Sequence, residues 1–270
     1  MGKVKLIFSD REIVEFCRAT EDTNEIHDPA FMEKLGKRVI VPGMFALAYA
    51  ANLSAGFLRT RARYLRVLFN SLVSSGDFVT LSAEPVPGKP DDIRLSAVNH
   101  RDTLTTKEEI TVISAVAADI SPEYPGILQR LTAGTGQVAT FRRLIRAEDP
   151  LVGNFLFAVA YASQALLRSI AEGRTEVEQE IGRVISGNSR ISPFYQSLEI
   201  IIPAPFPETD PDQPFDYYIH FERVKPCRQY NAYVRCESGN QVIFHSRYRL
   251  VGISDLVVIR MAKDILHHRQ

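Results

Sequence analysis

The stretch "EDTNEIHDP", Glu21 to Pro29, gathers four carboxylates, an amide and an imidazole into nine residues. A carboxylate and an imidazole five positions apart can meet across a loop that turns back on itself. They can then hold one water between them and share the transfer of its protons. Asp22 and His27 are the candidate pair, and Asn24 can orient the water or the carboxylate by hydrogen bonding. A second feature lies downstream in "VPGMFAL", where Pro42 and Gly43 precede a long apolar run. The start of a buried helix presents free N–H groups and the positive end of its dipole, which stabilise negative charge. A glycine there lets an oxygen approach the backbone closely. Taken singly, the first stretch also reads as a solvated acidic loop and the second as a strand-to-helix turn. The elements around them must decide.

Ser9 or Asp10 can cap a helix whose stripe is Ile13, Val14, Phe16 and Cys17, stopping near Thr20. "DPAFMEKLG" predicts a short helix with Pro29 in its first turn and Gly36 as its stop. Val39 to Val41 read as extended. A helix from about Met44 to Leu58, apolar almost all round, follows and should be buried. "YLRVLFNSLV" and "FVTLSAEPVP" read as strands, with turns at "SSGD" and "GKPDD" and a hairpin around "HRDT". The second half repeats this order. A long apolar helix begins soon after Gly153, a polar helical excursion covers "EGRTEVEQEIG", and long strands follow with a turn at "ESGN". Gly43 and Gly153 open the two helices, and Phe69 and Phe194 lie in the strands that follow. The order implies a duplicated α+β unit. The Pro- and Gly-containing "DISPEYPG" marks a boundary at about residues 119–130, dividing the chain into units 1–120 and 121–270.

Lys plus Arg and Asp plus Glu both number 32, so no global field favours nucleic acid or an anionic membrane. Apolar content of 45% and charged content of 24% suit an ordinary soluble protein. Three cysteines, Cys17, Cys227 and Cys236, show no metal-ligand spacing and fit a reducing compartment. With neither a signal-peptide core at the N-terminus nor 18 or so unbroken apolar residues, the expectation is a cytoplasmic protein without membrane insertion. There is no His-Glu-x-x-His, P-loop or Gly-x-Ser-x-Gly motif, and no metal is expected. His220 and His245 fall in alternating strands, His100 at a hairpin tip, and His267 and His268 in a polar tail. Arg59, Arg61, Arg63 and Arg66 read as a solvated cluster, with phosphate or carrier-protein binding as the alternative.

The ordered set of motifs resembles the MaoC-like, or (R)-specific, enoyl-CoA hydratases, which have the hot-dog fold. "EDTNEIHDP" is similar to the family's Asp-x-Asn-x-x-His-x-Asp, matched by Asp22, Asn24 and His27, with Asp28 one position early. "VPGMFAL" is similar to its His-Gly-Met segment. "YLRVLFNSLVSSGDFV" is similar to its strand with Phe followed by Gly-Asp, here Phe69 and Gly76-Asp77. The match covers roughly residues 5–118. Glu25 stands where the family commonly has Pro, and Pro42 where it commonly has His.

The resemblance implies two tandem hot-dog units, with antiparallel sheets each wrapped around a long apolar helix, the second unit degenerate. It implies Asp22 and His27 as the acid/base pair, with Asn24, Gly43 and Met44 binding substrate and the Gly43 N–H serving as oxyanion donor. The activity it implies is hydration of a 2-enoyl thioester or dehydration of a 3-hydroxyacyl thioester. No cofactor is needed beyond the CoA or acyl-carrier-protein thiol of the substrate, so the partners are acyl-CoA or acyl carrier protein, and a homodimer is allowed. A non-catalytic acyl-binding subunit and a hot-dog thioesterase stay open as alternatives. No Asp-x-Asn-x-x-His precedes Gly153, so the second unit is expected to complete the sheet and shape the acyl pocket.

Overall fold

A computed structural model describes residues 3–69, 72–99, 106–113, 126–186, 191–210, 212–225 and 229–254. The hairpin tip with His100, most of the 119–130 boundary, Cys227 and the tail histidines lie outside them.

In chain order, the first half comprises β1 (Lys3–Ile7), α1 (Asp10–Thr20), a single 3-10 turn (Glu25–His27), α2 (Pro29–Lys34), α3 (Gly43–Asn52), α4 (Ala55–Thr60), β2 (Tyr64–Leu68), β3 (Phe78–Val86), β4 (Lys89–Asn99) and β5 (Thr106–Ile113). The second half comprises β6 (Ile127–Leu131), α5 (Thr135–Leu144), α6 (Pro150–Glu172), α7 (Glu176–Ser186), β7 (Ile191–Ile201), β8 (Phe215–Lys225), β9 (Gln229–Ser238) and β10 (Gln241–Ser254).

The strands form one antiparallel sheet in the order β1-β3-β4-β5-β2-β7-β10-β9-β8-β6. Read from its two ends inward, the sheet follows the same plan twice, with β1 matching β6, β3 matching β8, β4 matching β9, β5 matching β10 and β2 matching β7. The halves join where β2 pairs with β7, from Tyr64 opposite Ile201 to Leu68 opposite Ser197. Each half therefore covers an edge of the other, which would otherwise present unpaired backbone groups.

Local chemistry explains the helix starts. Ser9 caps α1, and Glu12 returns a bond to the Ser9 N–H at 2.9 Å. Asp149 caps α6 by accepting from Leu151 N–H at 2.9 Å and Val152 N–H at 3.3 Å, with Pro150 in the first turn. Every residue of α3 from Met44 to Ala51 is buried, as its uniform apolarity requires. Helix α6 is long and apolar enough to cross a membrane, but 78% of its apolar window is buried within the protein, where it packs against α3, α5 and α7. Aromatic rings make the core continuous between halves. Phe45 of α3 stacks on Phe16 of α1 at 4.5 Å, Phe16 meets Phe141 of α5 at 5.6 Å, and Phe141 meets Phe157 of α6 at 5.4 Å. Full burial of one such ring is worth about 1.5–3 kcal/mol.

Four expectations need correction. The first apolar helix does not run unbroken to Leu58. It tightens at Leu53 and Ser54, whose N–H groups bond Ala50 and Ala51 carbonyls three residues back, while Asn52 donates instead to the Ile145 and Arg146 carbonyls of the other half. Gly153 does not open the second helix, which begins at Pro150 because Asp149 supplies the cap. A Cβ on Gly153 would lie 2.8 Å from Arg142 Cγ and 3.0 Å from Ala147 Cβ, so close helix packing accounts for the glycine. The turn expected at "GKPDD" sits at Pro87 and Gly88, where Gly88 has φ +75°. Finally, β1, β6 and α5 were not anticipated. The first two are five-residue strands at the ends of the sheet, where the pattern carries little signal.

Candidate active site

The candidate acid/base stretch is built by successive short-range bonds. Glu21 ends α1 in the left-handed conformation, φ 54°, and Asp22 N–H returns to the Cys17 carbonyl at 2.9 Å. This reversal turns the chain back over α1. Asp22 Oδ1 then accepts from Asn24 N–H at 3.0 Å, a turn that Asp forms readily. Asn24 Oδ1 accepts from Ile26 N–H at 3.4 Å and caps the 3-10 turn. Glu25, whose presence the resemblance leaves unexplained, is the exposed first residue of that turn, where an acid meets the partial positive charge of free N–H groups. Asp28 caps α2 by accepting from Phe31 N–H at 3.0 Å.

These turns bring Asp22 and His27 together. His27 Nε2 lies 3.8 Å from Asp22 Oδ2, and the two side chains retain only 10% and 18% of their exposure. His27 Nδ1 is 2.6 Å from the Ile40 carbonyl. A carbonyl oxygen only accepts, so Nδ1 carries a proton, and in the neutral ring Nε2 holds the lone pair beside Asp22. Ile40 N–H in turn donates to the Ile26 carbonyl at 3.1 Å, which fastens the turn to the segment entering α3. That segment is anchored to the start of β3 by Arg38 and Asp77, a nearly buried ion pair, while Asp77 Oδ2 also accepts from Ser74 N–H at 3.0 Å. The Gly76-Asp77 motif thus serves the scaffold, Gly76 supplying a φ of +72° in the turn before the strand.

Asp22, Asn24 and His27 line a cleft of about 700 Å³ with Cys17 and Gln164, and Arg18 and Lys34 belong to its lining. Burial first, then the charges of Asp22 and Asp28, push the Cys17 thiol well up, so it is no ready nucleophile. Burial pushes the Tyr195 phenol of β7 up, against a hydrogen bond with Ser163 that lowers it and with a smaller contribution from the Asp22 charge.

Gly43 and Met44 are not in the lining of this cleft. Met44 is 5% exposed and belongs to the core. Gly43 is partly exposed at the start of α3, which has no side-chain cap. The helix's bonds begin with Phe45 N–H to the Pro42 carbonyl at 2.9 Å, so the N–H groups of Gly43 and Met44 precede them. A Cβ at Gly43 would stand 2.9 Å from Phe69 Cε1, so a glycine is required for Phe69 to pack here. The structure therefore brings Asp22, Asn24 and His27 into one cleft and sets Gly43 beside Phe69, whose ring lies 6.4 Å from that of Tyr195.

The arginine cluster is spread over structural pairs. Arg59 binds Asp149 at 3.1 Å, Arg63 donates to the Ala62 carbonyl at 2.9 Å, and Arg66 lies 4.0 Å from Glu199. His220 and His245 lie in β8 and β10. Among the described residues no group of three or more His, Cys, Asp or Glu is placed to hold a metal.

Sequence reasoning missed four residues around the cleft: Glu21, Tyr161, Gln164 and Arg168. The last three share one face of α6, and Gln164 and Arg168 interrupt its apolar run. That interruption is the signal that could have found them.

No protein-family model and no curated protein matches the chain. Solved structures do. A MaoC-like dehydratase superposes on 92% of this chain and 97% of its own, with a TM-score of 0.56 and 11% identity. The MaoC-like dehydratase of Phytophthora capsici covers 94% and 95%, with a TM-score of 0.56 and 12% identity. A MaoC domain protein from Chloroflexus aurantiacus J-10-fl covers 92% and 93%, with a TM-score of 0.58 and 8% identity. At these identities the likeness is one of architecture: the chain has the hot-dog fold of MaoC-like dehydratases.

Proposed function

We propose that the chain catalyses (R)-specific hydration of 2-enoyl thioesters, or the reverse dehydration of 3-hydroxyacyl thioesters, at the Asp22–His27 cleft. The observation that carries this reading is the pair itself. His27 Nε2 and Asp22 Oδ2 face each other at 3.8 Å in a cleft, with the other ring nitrogen held on a backbone carbonyl. That spacing leaves room for one water bonded to both. In hydration, one of the pair takes a proton from the water as its oxygen attacks C3, and a proton is returned to C2. The thioester oxygen becomes enolate-like in between. The Gly43 N–H is the donor we assign to it, at the uncapped start of α3. Arg18 and Lys34 offer positive charge for the phosphates of CoA or the acidic face of an acyl carrier protein. The fold's likeness to dehydratases supports the same reaction class, and no cofactor is required beyond the carrier thiol. The unit 1–120 carries the site, and the unit 121–270 completes the sheet and supports the site from α6.

A second reading, a non-catalytic acyl-binding subunit, is favoured by the Phe69 ring beside Gly43 and by the absence of Gly43 from the cleft lining. The test is an assay with crotonyl-, octenoyl- and longer enoyl-CoA and the corresponding carrier-protein thioesters, following loss of enoyl absorbance. Turnover abolished in Asp22→Asn and His27→Ala supports the proposal. No turnover of any of these substrates sinks it in favour of the binding reading. Thiol release with the double bond intact means a thioesterase instead.

A further inference from the structure

We infer that Glu21 is a positioning residue, clamped by the central helix of the second half, which sets Asp22 against His27. The inference rests on the Asp22–His27 pair being the working site, and it gives the second half a role beyond completing the sheet.

Glu21 is joined to Asp22 directly, and its backbone decides where Asp22 begins. Its left-handed conformation is uncommon for a residue with a long side chain and must be held by its surroundings. Every polar atom of Glu21 beyond its N–H is held from the other half. Oε1 accepts from the Tyr161 hydroxyl at 2.8 Å and from Gln137 Nε2 at 3.4 Å. Oε2 accepts from Arg168 Nη2 at 2.8 Å. With its amide oriented to satisfy both neighbours, Gln164 donates to the Glu21 carbonyl at 2.8 Å and accepts from Arg168 Nε at 3.3 Å. Gln137 also donates to the Ala19 carbonyl at 3.3 Å, in the last turn of α1.

The donors come from rigid elements. Tyr161, Gln164 and Arg168 are spaced by three and then four residues, so α6 presents them as one row. Tyr161 is 1% exposed, and a phenol so placed requires an acceptor. Burial first, and the Glu21 carboxylate next, push its ionisation up, so it stays a donor. Gln164 and Glu21 both line the cleft that holds Asp22 and His27. A surface ion pair that merely joined the halves would not need four donors converging on one residue, nor that residue in a left-handed conformation next to the acid.

The decisive substitution is Glu21→Gly. Glycine adopts the left-handed conformation freely, so the end of α1 keeps its shape while the clamp is lost. Glu21→Gln keeps one acceptor oxygen for Arg168, and its NH2 can donate to the Tyr161 hydroxyl oxygen, so it is the rescue variant. Two readouts are taken on the full chain. The first is enoyl-thioester turnover. Glu21→Gly is expected to lower kcat by about 10–100-fold with KM changed by less than about threefold, and Glu21→Gln to recover most of it. The second does not depend on activity: the ring resonances of His27, identified by their loss in His27→Ala. They are expected to shift in Glu21→Gly and return in Glu21→Gln. Wild-type kcat together with unmoved His27 signals in a folded Glu21→Gly overturns the inference. If the wild-type chain turns over none of the thioesters, the proposed function fails and the His27 signals alone decide the clamp. Should Glu21→Gly not fold, Arg168→Met and Tyr161→Phe each remove one donor and take its place: lowered kcat with shifted His27 signals supports the clamp, and wild-type values of both overturn it.

Discussion

The two halves share a strand order and a buried helix, yet they treat the start of that helix in opposite ways. In the first half, residues 21–42 separate α1 from α3, and they hold Asp22, Asn24, His27 and α2. In the second, only residues 145–149 separate α5 from α6. The loop of the candidate pair is therefore what the first half has and the second lacks. The helix starts differ in the same sense. The carboxylate of Asp149 satisfies the first N–H groups of α6, whereas α3 follows Pro42 with no side-chain cap. One helix start is sealed by a side chain and the other is not. The longer, sealed helix is the support: α6 supplies Tyr161, Gln164 and Arg168 to the loop of its neighbour. Duplication here separates a half that carries the Asp22–His27 cleft from a half that holds its loop in place.

The largest effect that can break this contrast is at the pair. Asp22→Asn and His27→Ala should each lower kcat on enoyl thioesters by about 10²–10⁴-fold. The exposed Glu148→Gln, in the corresponding short segment of the second half, should leave kcat unchanged. Steady-state rates on the three variants decide whether the halves are functionally unequal.

The next effect separates the two glycines. Gly43→Ala drives a methyl to 2.9 Å from Phe69 at the open helix start, and Gly153→Ala drives one to 2.8 Å from Arg142 at the sealed one. Both should lose about 1–3 kcal/mol by overpacking, read by urea denaturation. Only Gly43→Ala should also lower kcat, by about tenfold or more, because it moves the N–H proposed as the oxyanion donor. Equal kcat losses in both would remove the functional distinction between the helix starts.

A smaller, purely structural effect is expected from Asp149→Ala. It unseals α6 and should cost about 1 kcal/mol of stability while leaving kcat unchanged. The loss is read from the same denaturation curves.

The smallest effect concerns Cys17, which the cleft exposes but does not activate. Burial and the neighbouring Asp22 and Asp28 raise the pH at which it ionises, so the thiolate forms only at strongly alkaline pH. At about pH 8, iodoacetamide should label it far more slowly in the native than in the unfolded protein, as followed by peptide mass spectrometry. Asp22→Asn removes a negative charge, lowers the pH at which the thiol ionises and should speed labelling slightly.

Much of the candidate site's local geometry was legible in the residues. The cap by Ser9, the helix stop at Gly36 and the turn that brings Asp22 toward His27 all act over two to five positions, as does the cap by Asp28, which was not read. Side-chain type and spacing specify such contacts directly. The duplicated order of helix and strands was legible for the same reason, since apolar periodicity reports which face is buried. The break in the first apolar helix was not. Asn52 is drawn away by carbonyls at residues 145 and 146, and nothing near it in the chain foretells that. Nor was the start of α6 placed well, because Gly153 has the look of a helix opener until Arg142 and Ala147 are seen against it.

By itself the sequence determined the turn that brings Asp22 toward His27, the cap of the first helix and the order of a repeated α+β plan, because each rests on neighbours along the chain. The tertiary structure alone decided that the halves share one sheet through β2 and β7, that Phe69 occupies the space at Gly43, and that α6 grips Glu21. Those contacts join residues far apart in the chain. Their partners are chosen by the packing of two helices beneath one sheet, and no local pattern records that choice.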